Sequence, residues 1–315
     1  MTEIAFPHPA APARARRRLA PVLVLLAATL FALNGSVSKV ALQSSGLSTL
    51  RWTELRSTGA FLGLAAWLAV RDPRSVRVAR AEVATLVAYG IFGFAFVQWL
   101  YFVAIDRLPI GVALLFEFSG IVLIALWARF VRREPVRARL WPALALVLAG
   151  LAFVAQAWQG LALDGVGLAA SLAAAGSLAL FYLQGERLVG GRPPLAVVCL
   201  GLLFASVFWA LVQPWWSFPA GALGRSADLP GAWLGSVPVW LLALASVLLG
   251  TIAPFALSIS ALQHLSATAV GVIATFEPVA AAIVAWLWLG ESLDAAQLAG
   301  GVVVLAGILL AETSR

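Results

Sequence analysis

The chain has 315 residues, 62% of them hydrophobic and only 11% charged, and its mean hydropathy is +0.97. At about 20 apolar residues per bilayer crossing there is room for about ten spans and little for a soluble domain. The net charge of +7 would point to nucleic acid in a soluble protein, but the basic residues fall between apolar runs and not on one face, so they read as topology signals and nucleic acid is excluded.

In chain order, residues 1–18 form a basic tail with Arg14, Arg16, Arg17 and Arg18. Together with the apolar run that follows, this tail has the layout of a signal peptide. The run is read instead as a retained first span, because it completes a repeat described below. Windows of about 19 residues place spans near 19–41, 48–70, 83–104, 109–131, 140–158, 165–188, 195–213, 237–260, 265–289 and 295–312. Hydrocarbon offers the backbone no water, and the runs are too long and too evenly apolar for barrel strands, so each is predicted to be a helix. The expected fold class is an all-α integral membrane protein with ten transmembrane helices. Cys199 alone builds no disulfide framework, and His8 and His264 make no cluster with metal-ligand spacing. Neither a metal nor a cofactor is expected.

Residues 104–150 recur 157 positions later at 261–307 (261 − 104). Ala104 aligns with Ala261, Leu108 with Leu265, Glu134 with Glu291, Ala149-Gly150 with Ala306-Gly307, and Gly93 with Gly250 in the same register. The chain is therefore read as two related five-helix repeats, 19–158 and 165–312, and doubled membrane folds are above all transporter folds. Arg71, Arg74, Arg77, Arg80, Arg129, Arg132, Arg133, Arg137, Arg139, Arg187, Arg192 and Arg315 join the basic tail on one side, whereas the opposite loops hold Arg107 and Arg225. This asymmetry is expected to put both termini in the cytoplasm of a bacterial-type inner membrane. Five spans per repeat is an odd number, so the second repeat is expected to enter the membrane inverted, with Glu134 and Glu291 on opposite sides. The longest loop, near 214–236, carries Trp215, Trp216, Trp233, Pro219 and Pro230, as an interfacial aromatic belt on the outer side would.

A charge at a helix centre costs a few kcal/mol, so the ionisable residues left inside spans are candidates for function. Glu117 lies about eight residues, or ~12 Å, into the fourth span. Glu277 lies near the middle of the ninth. At such depth a carboxyl group can carry a proton; one that only ties helices together is the structural alternative for each. Pro278 removes a backbone donor and frees a carbonyl next to Glu277, as in the broken helices of many transporter sites. Pro254 offers a second kink, and Gly250 a close approach of helices. Arg56, in the second span, is too deep to snorkel. It needs a carboxylate, either a substrate's, held bidentately, or that of Glu54 or Glu117. Lys39, near the outer end of the first span, can join the site or snorkel outward. Gln98 and Tyr101 share one face of the third span and Trp99 belongs to another. Tyr182 and Gln184 on the sixth span, with Asn34 and Ser38 on the first, add polar surface. The substrate- or proton-binding set is thus Glu117, Glu277, Arg56, Lys39, Gln98, Tyr101, Tyr182 and Asn34. Gly59 with Gly63, and Gly301 to Gly307, permit close helix packing and carry no chemistry.

These residues carry a resemblance. Ala261-Leu262, Glu277-Pro278-Val279, Leu289-Gly290-Glu291, and Gly300 with Gly307 resemble the second repeat of the EamA family in the drug/metabolite transporter superfamily. WLYFVAIDRLPIGVALLFEFSGIVLIAL at 99–126 resembles the first repeat. Within the superfamily, LLFEFSG at 114–120, Arg56 in LRSTGAFLGL and Tyr182 in LALFYLQGERLVGG are similar to the threonine/homoserine exporter group. The resemblance implies a ten-helix inner-membrane exporter of amino acids or related metabolites that exchanges substrate for protons. Ile121 stands where that group tends to have proline, so the first half is expected to lack the kink that Pro278 gives the second.

The expected activity is secondary export of small metabolites, amino acids first, by alternating access. The partners are a small-molecule substrate, protons as coupling ion and the lipid bilayer, with a homodimer left open. Export of lipophilic drugs is the alternative, favoured by tryptophan-rich helices and disfavoured by the buried cations. A membrane-embedded enzyme or scaffold is a distant third, since no His, Cys or Asp constellation marks a catalytic centre; no enzyme is expected.

Overall fold

The computed structural model describes residues 11–133, 137–156, 164–229, 235–289 and 294–312. The apolar runs form α1 (Ala11–Ser45), α2 (Thr49–Arg71), α3 (Arg80–Arg107), α4 (Ile110–Val131), α5 (Leu140–Val154), α6 (Gly165–Val189), α7 (Pro194–Val212), α8 (Val239–Ala261), α9 (267–289) and α10 (Ala295–Glu312). Seven of them, α1, α3, α4, α6, α7, α8 and α9, are long and apolar enough to cross a membrane. The chain is a multi-pass, all-helical membrane protein. Several helix starts are set locally. Ser48, Asp164 and Ser266 accept hydrogen bonds from the amides of Arg51, Gly167 and Ala269 and so satisfy donors that a helix start leaves free.

The exception to helix lies between α7 and α8, where the expected aromatic loop contains a short ribbon. Strand β1 (Ser226–Asp228) pairs antiparallel with β2 (Ser236–Pro238), after 3-10 turns at Trp215–Ser217 and Ala220–Gly224. Trp216 stands exposed; Trp233 and Pro230 lie outside the described residues. Arg51 donates to the carbonyls of Gln213 and Pro214 and to the Ser217 hydroxyl, and Arg225 to the Ser45 carbonyl. The loop is thereby tied to the α1–α2 turn.

Irregularities recur at matching places in the two halves. α3 has a π-helical stretch at Tyr89–Ala95 and α8 one at Leu248–Ile252, around the counterparts Gly93 and Gly250. α4 pauses at Ser119, between Ile110–Phe118 and Gly120–Leu126, and α9 at Thr275, between Ala267–Ala274 and Phe276–Leu289. The first half has no proline at the place of Pro278, as expected, yet α4 is interrupted where α9 is. Ser119 and Thr275 each donate their hydroxyl to the carbonyl three residues back, of Phe116 at 2.6 Å and Val272 at 2.5 Å. Such bonds tighten a turn without any proline.

Packing repeats as well. α3 lies against α6 as α8 lies against α1, and α4 lies against α6 as α9 lies against α1, while α2 meets α7 and α5 meets α10. At the α5–α10 contact a methyl group on Gly150 would fall 2.7 Å from the Val304 nitrogen and 2.8 Å from the Gly300 oxygen, and one on Gly307 would fall 3.0 Å from the Ala143 oxygen. Positions rise on α5 as they fall on α10, so these helices run antiparallel, with backbones brought close by the missing side chains. Glu134 and Glu291 lie outside the described residues.

Candidate functional site

Near the middle of the bundle, α1, α2, α3, α4, α6, α8 and α9 surround a cavity of about 70 Å³. Seven of the eight sequence-predicted residues line it: Asn34, Arg56, Gln98, Tyr101, Glu117, Tyr182 and Glu277. The rest of its wall is apolar and largely aromatic. Phe181 and Phe255 lie edge to face at 5.3 Å, and Phe94 backs both of them, a rigid wall that holds the polar groups apart.

Arg56 is buried to 2% exposure and is held by α8. Its Nη2 donates to the Gly250 carbonyl at 2.8 Å and its Nε to Thr251 Oγ1 at 3.2 Å. The Gly250 carbonyl lies in the π-helical stretch just before Pro254, a residue with no N–H to offer any carbonyl of the preceding turn. Thr251 in turn donates to the Ser246 carbonyl at 2.9 Å, which fixes its lone pairs toward the guanidinium. The guanidinium also lies 5.1 Å from the centre of the Phe102 ring, a cation–π contact. Of the carboxylate partners considered from the sequence, Glu54 is taken by Arg51 at 2.7 Å. Among the described residues Arg56 has no ion pair, and its Nη1 remains without an acceptor.

Glu117 and Glu277 face the same cavity from α4 and α9, and neither has an ion-pair partner among the described residues. Each sits next to its helix's pause, at Ser119 and Thr275. Gln98 donates Nε2 to the Phe94 carbonyl at 3.1 Å, while its side-chain oxygen has no partner among the described residues and stays an open acceptor. Asn34 accepts from Ser38 at 3.3 Å, so Ser38 supports the site without lining it. Trp99 packs on Trp209 and Phe96, away from the cavity.

Lys39 is not brought to this site. It is exposed and lines a second cavity. Sequence reasoning missed Thr251 and Phe102, which position Arg56, and the phenylalanines of the wall. The spacing of Gly250, Thr251 and Pro254 was the available signal for the first; no polarity marks the others.

Membrane-crossing helices around a buried cavity with one guanidinium, two carboxyls and two phenols define a membrane transporter, not an enzyme. The chain belongs to the EamA-like transporter family, whose model matches it twice, over residues 18–156 and 165–313. It is 31% identical over 249 residues to the threonine/homoserine exporter RhtA of Escherichia coli (strain K12), covering 78% of this chain and 77% of that one. It is 28% identical over 287 residues to the threonine/homoserine exporter RhtA of Salmonella typhimurium (strain SL1344), covering 91% and 89%. A solved crystal structure with 19% identity superposes with a TM-score of 0.71 over 95% of this chain and 96% of the other, which extends the likeness of fold.

Proposed function

We propose that this protein exports amino acids or closely related small polar metabolites across a bacterial-type inner membrane, by alternating access and in exchange for protons. The observation that carries the reading is the cavity itself, which the Arg56 guanidinium lines together with the Glu117 and Glu277 carboxyls. A zwitterion needs both signs: Arg56 takes its carboxylate through the unused Nη1 side, and a deprotonated Glu117 or Glu277 takes its ammonium. A carboxyl that must release a proton to hold the ammonium, and regain one to let it go, couples the two fluxes. The names of the RhtA relatives favour a hydroxylated amino acid such as threonine or homoserine.

Two inverted five-helix repeats of a ten-span fold suit this cycle. The antiparallel course of the counterparts α5 and α10 supports the inversion, and the arginine distribution supports cytoplasmic termini. The experiment is proton-gradient-driven threonine flux in proteoliposomes. Glu117→Gln and Glu277→Gln are expected to abolish coupling, and unchanged transport in both variants would sink the carboxylate role. The aromatic wall of Phe31, Phe118, Phe181 and Phe255 favours a second reading, export of lipophilic compounds. Protection of cells against dyes without protection against amino acid analogues would establish it in place of the first.

A further inference from the structure

Gln98 lines the central cavity from α3 and is 6% exposed. The two ends of its amide are in different situations. Nε2 donates to the Phe94 carbonyl, one turn back, at 3.1 Å. A carbonyl only accepts, so this bond fixes which end of the amide is the nitrogen. Oε1, at the other end, is buried and has no hydrogen-bond partner among the described residues. An acceptor left unpaired in an apolar interior is costly, and it calls for a donor that it meets during function.

The surroundings narrow what that donor is. At the repeat offset of 157 the counterpart of Gln98 is Phe255 (255 − 98), which lines the same cavity and packs on Phe94 at 4.7 Å. The second repeat thus puts a ring where the first puts an acceptor. Asn34 has an amide oxygen too, but it already accepts from Ser38 at 3.3 Å. The Tyr101 and Tyr182 hydroxyls can donate or accept, so they distinguish little. A cation is drawn to Glu117 and Glu277. Oε1 is neutral and only accepts. It would repel a side-chain carboxylate and stay unpaired against an apolar side chain. An amide side chain would bring an acceptor of its own, which a wall of phenylalanines does not satisfy. A hydroxyl answers Oε1 with a single donor.

We propose, resting on the export reading above, that Gln98 sets the side-chain specificity of this site, its Oε1 accepting a hydrogen bond from the side-chain hydroxyl of a small amino acid whose carboxylate lies on Arg56. Small-molecule sites run to roughly 300–1,000 Å³, so a cavity of about 70 Å³ widens on loading, and the hydroxyl reaches Oε1 as it does.

The test compares threonine with valine, its isostere with a methyl in place of the hydroxyl, and with O-methylthreonine, which keeps the oxygen but has no donor. In proteoliposomes of the whole chain, flux per unit concentration is expected to favour threonine over both by about tenfold or more, since each analogue leaves a buried acceptor unpaired. Gln98→Met, similar in length and without the acceptor, is expected to bring the threonine-to-valine ratio near one by raising KM for threonine while sparing valine. Gln98→Asn, which draws the oxygen back by one methylene, is expected to lower the ratio as well and carries the test where the methionine variant does not fold. A ratio that survives these substitutions, or O-methylthreonine moved as well as threonine, would overturn the assignment. The rise in melting temperature that each solute gives the purified protein is measured in parallel. A larger rise with threonine than with valine, lost in Gln98→Met, in a protein that moves neither upholds the Gln98 contact and overturns export. Equal fluxes of threonine and valine uphold export and overturn the contact.

Discussion

Arg56 uses two of its donors on α8 before any solute arrives, and the geometry of that hold sets its substitutions apart. Lysine keeps the charge but loses the planar fork, so Arg56→Lys is expected to lower threonine flux at least about tenfold at equal protein level, a hydrogen bond to a charged group being worth about 1.5–3 kcal/mol. Thr251→Val keeps the shape and removes the Nε acceptor. It is expected to raise KM more than it lowers maximal flux, because it disorders the carboxylate-binding group and leaves Glu117 and Glu277 in place. Concentration-dependent uptake into inverted vesicles measures both, and an unchanged KM would count against the positioning role. Seven residues that line the central cavity were legible because polar and ionisable groups are costly in hydrocarbon and therefore conspicuous. Lys39 lines a different cavity, since charge and depth alone do not say which way a side chain points. Thr251 was missed because a hydroxyl can satisfy itself on its own helix, as this one does on Ser246.

At the scale of elements, the helices followed from apolar length, and their interruptions only in part. A proline signals a freed carbonyl, which made Pro254 and Pro278 visible, but the turn at Ser119 comes from a hydroxyl bonding backward, and serine does this in many unbroken helices. The ribbon between α7 and α8 was not legible either, since three-residue strands leave no periodic pattern. The α5–α10 contact invites a direct test. Gly150→Leu would drive a side chain into the Gly300 and Val304 backbone and is expected to cost about 1–3 kcal/mol, read as a lowered melting temperature of the purified protein. The same change at Gly176, where nothing lies within 4 Å of an added methyl, is expected to leave the melting temperature nearly unchanged.

For the whole molecule, the repeat offset and the arginine count carry a topology that reporter fusions can check. Alkaline phosphatase fused in the 214–229 loop is expected to be active and a fluorescent protein inserted at 72–78 to glow in the cytoplasm; the opposite pattern would reverse the orientation, and both loops on one side would end the inverted arrangement. One consequence of the Gly250 carbonyl reaches furthest at this scale. A bare guanidinium in hydrocarbon would cost several kcal/mol and stall the carrier after its solute has gone. On the export reading, an Arg56 that rests on the Gly250 carbonyl would make the return stroke already solvated by protein, so unloaded turnover is expected to be cheap and net outflow not to wait for a solute on the far side. Pro254→Ala adds a competing N–H beside that carbonyl. It is expected to slow net outflow while sparing one-for-one exchange, in which Arg56 is never left alone.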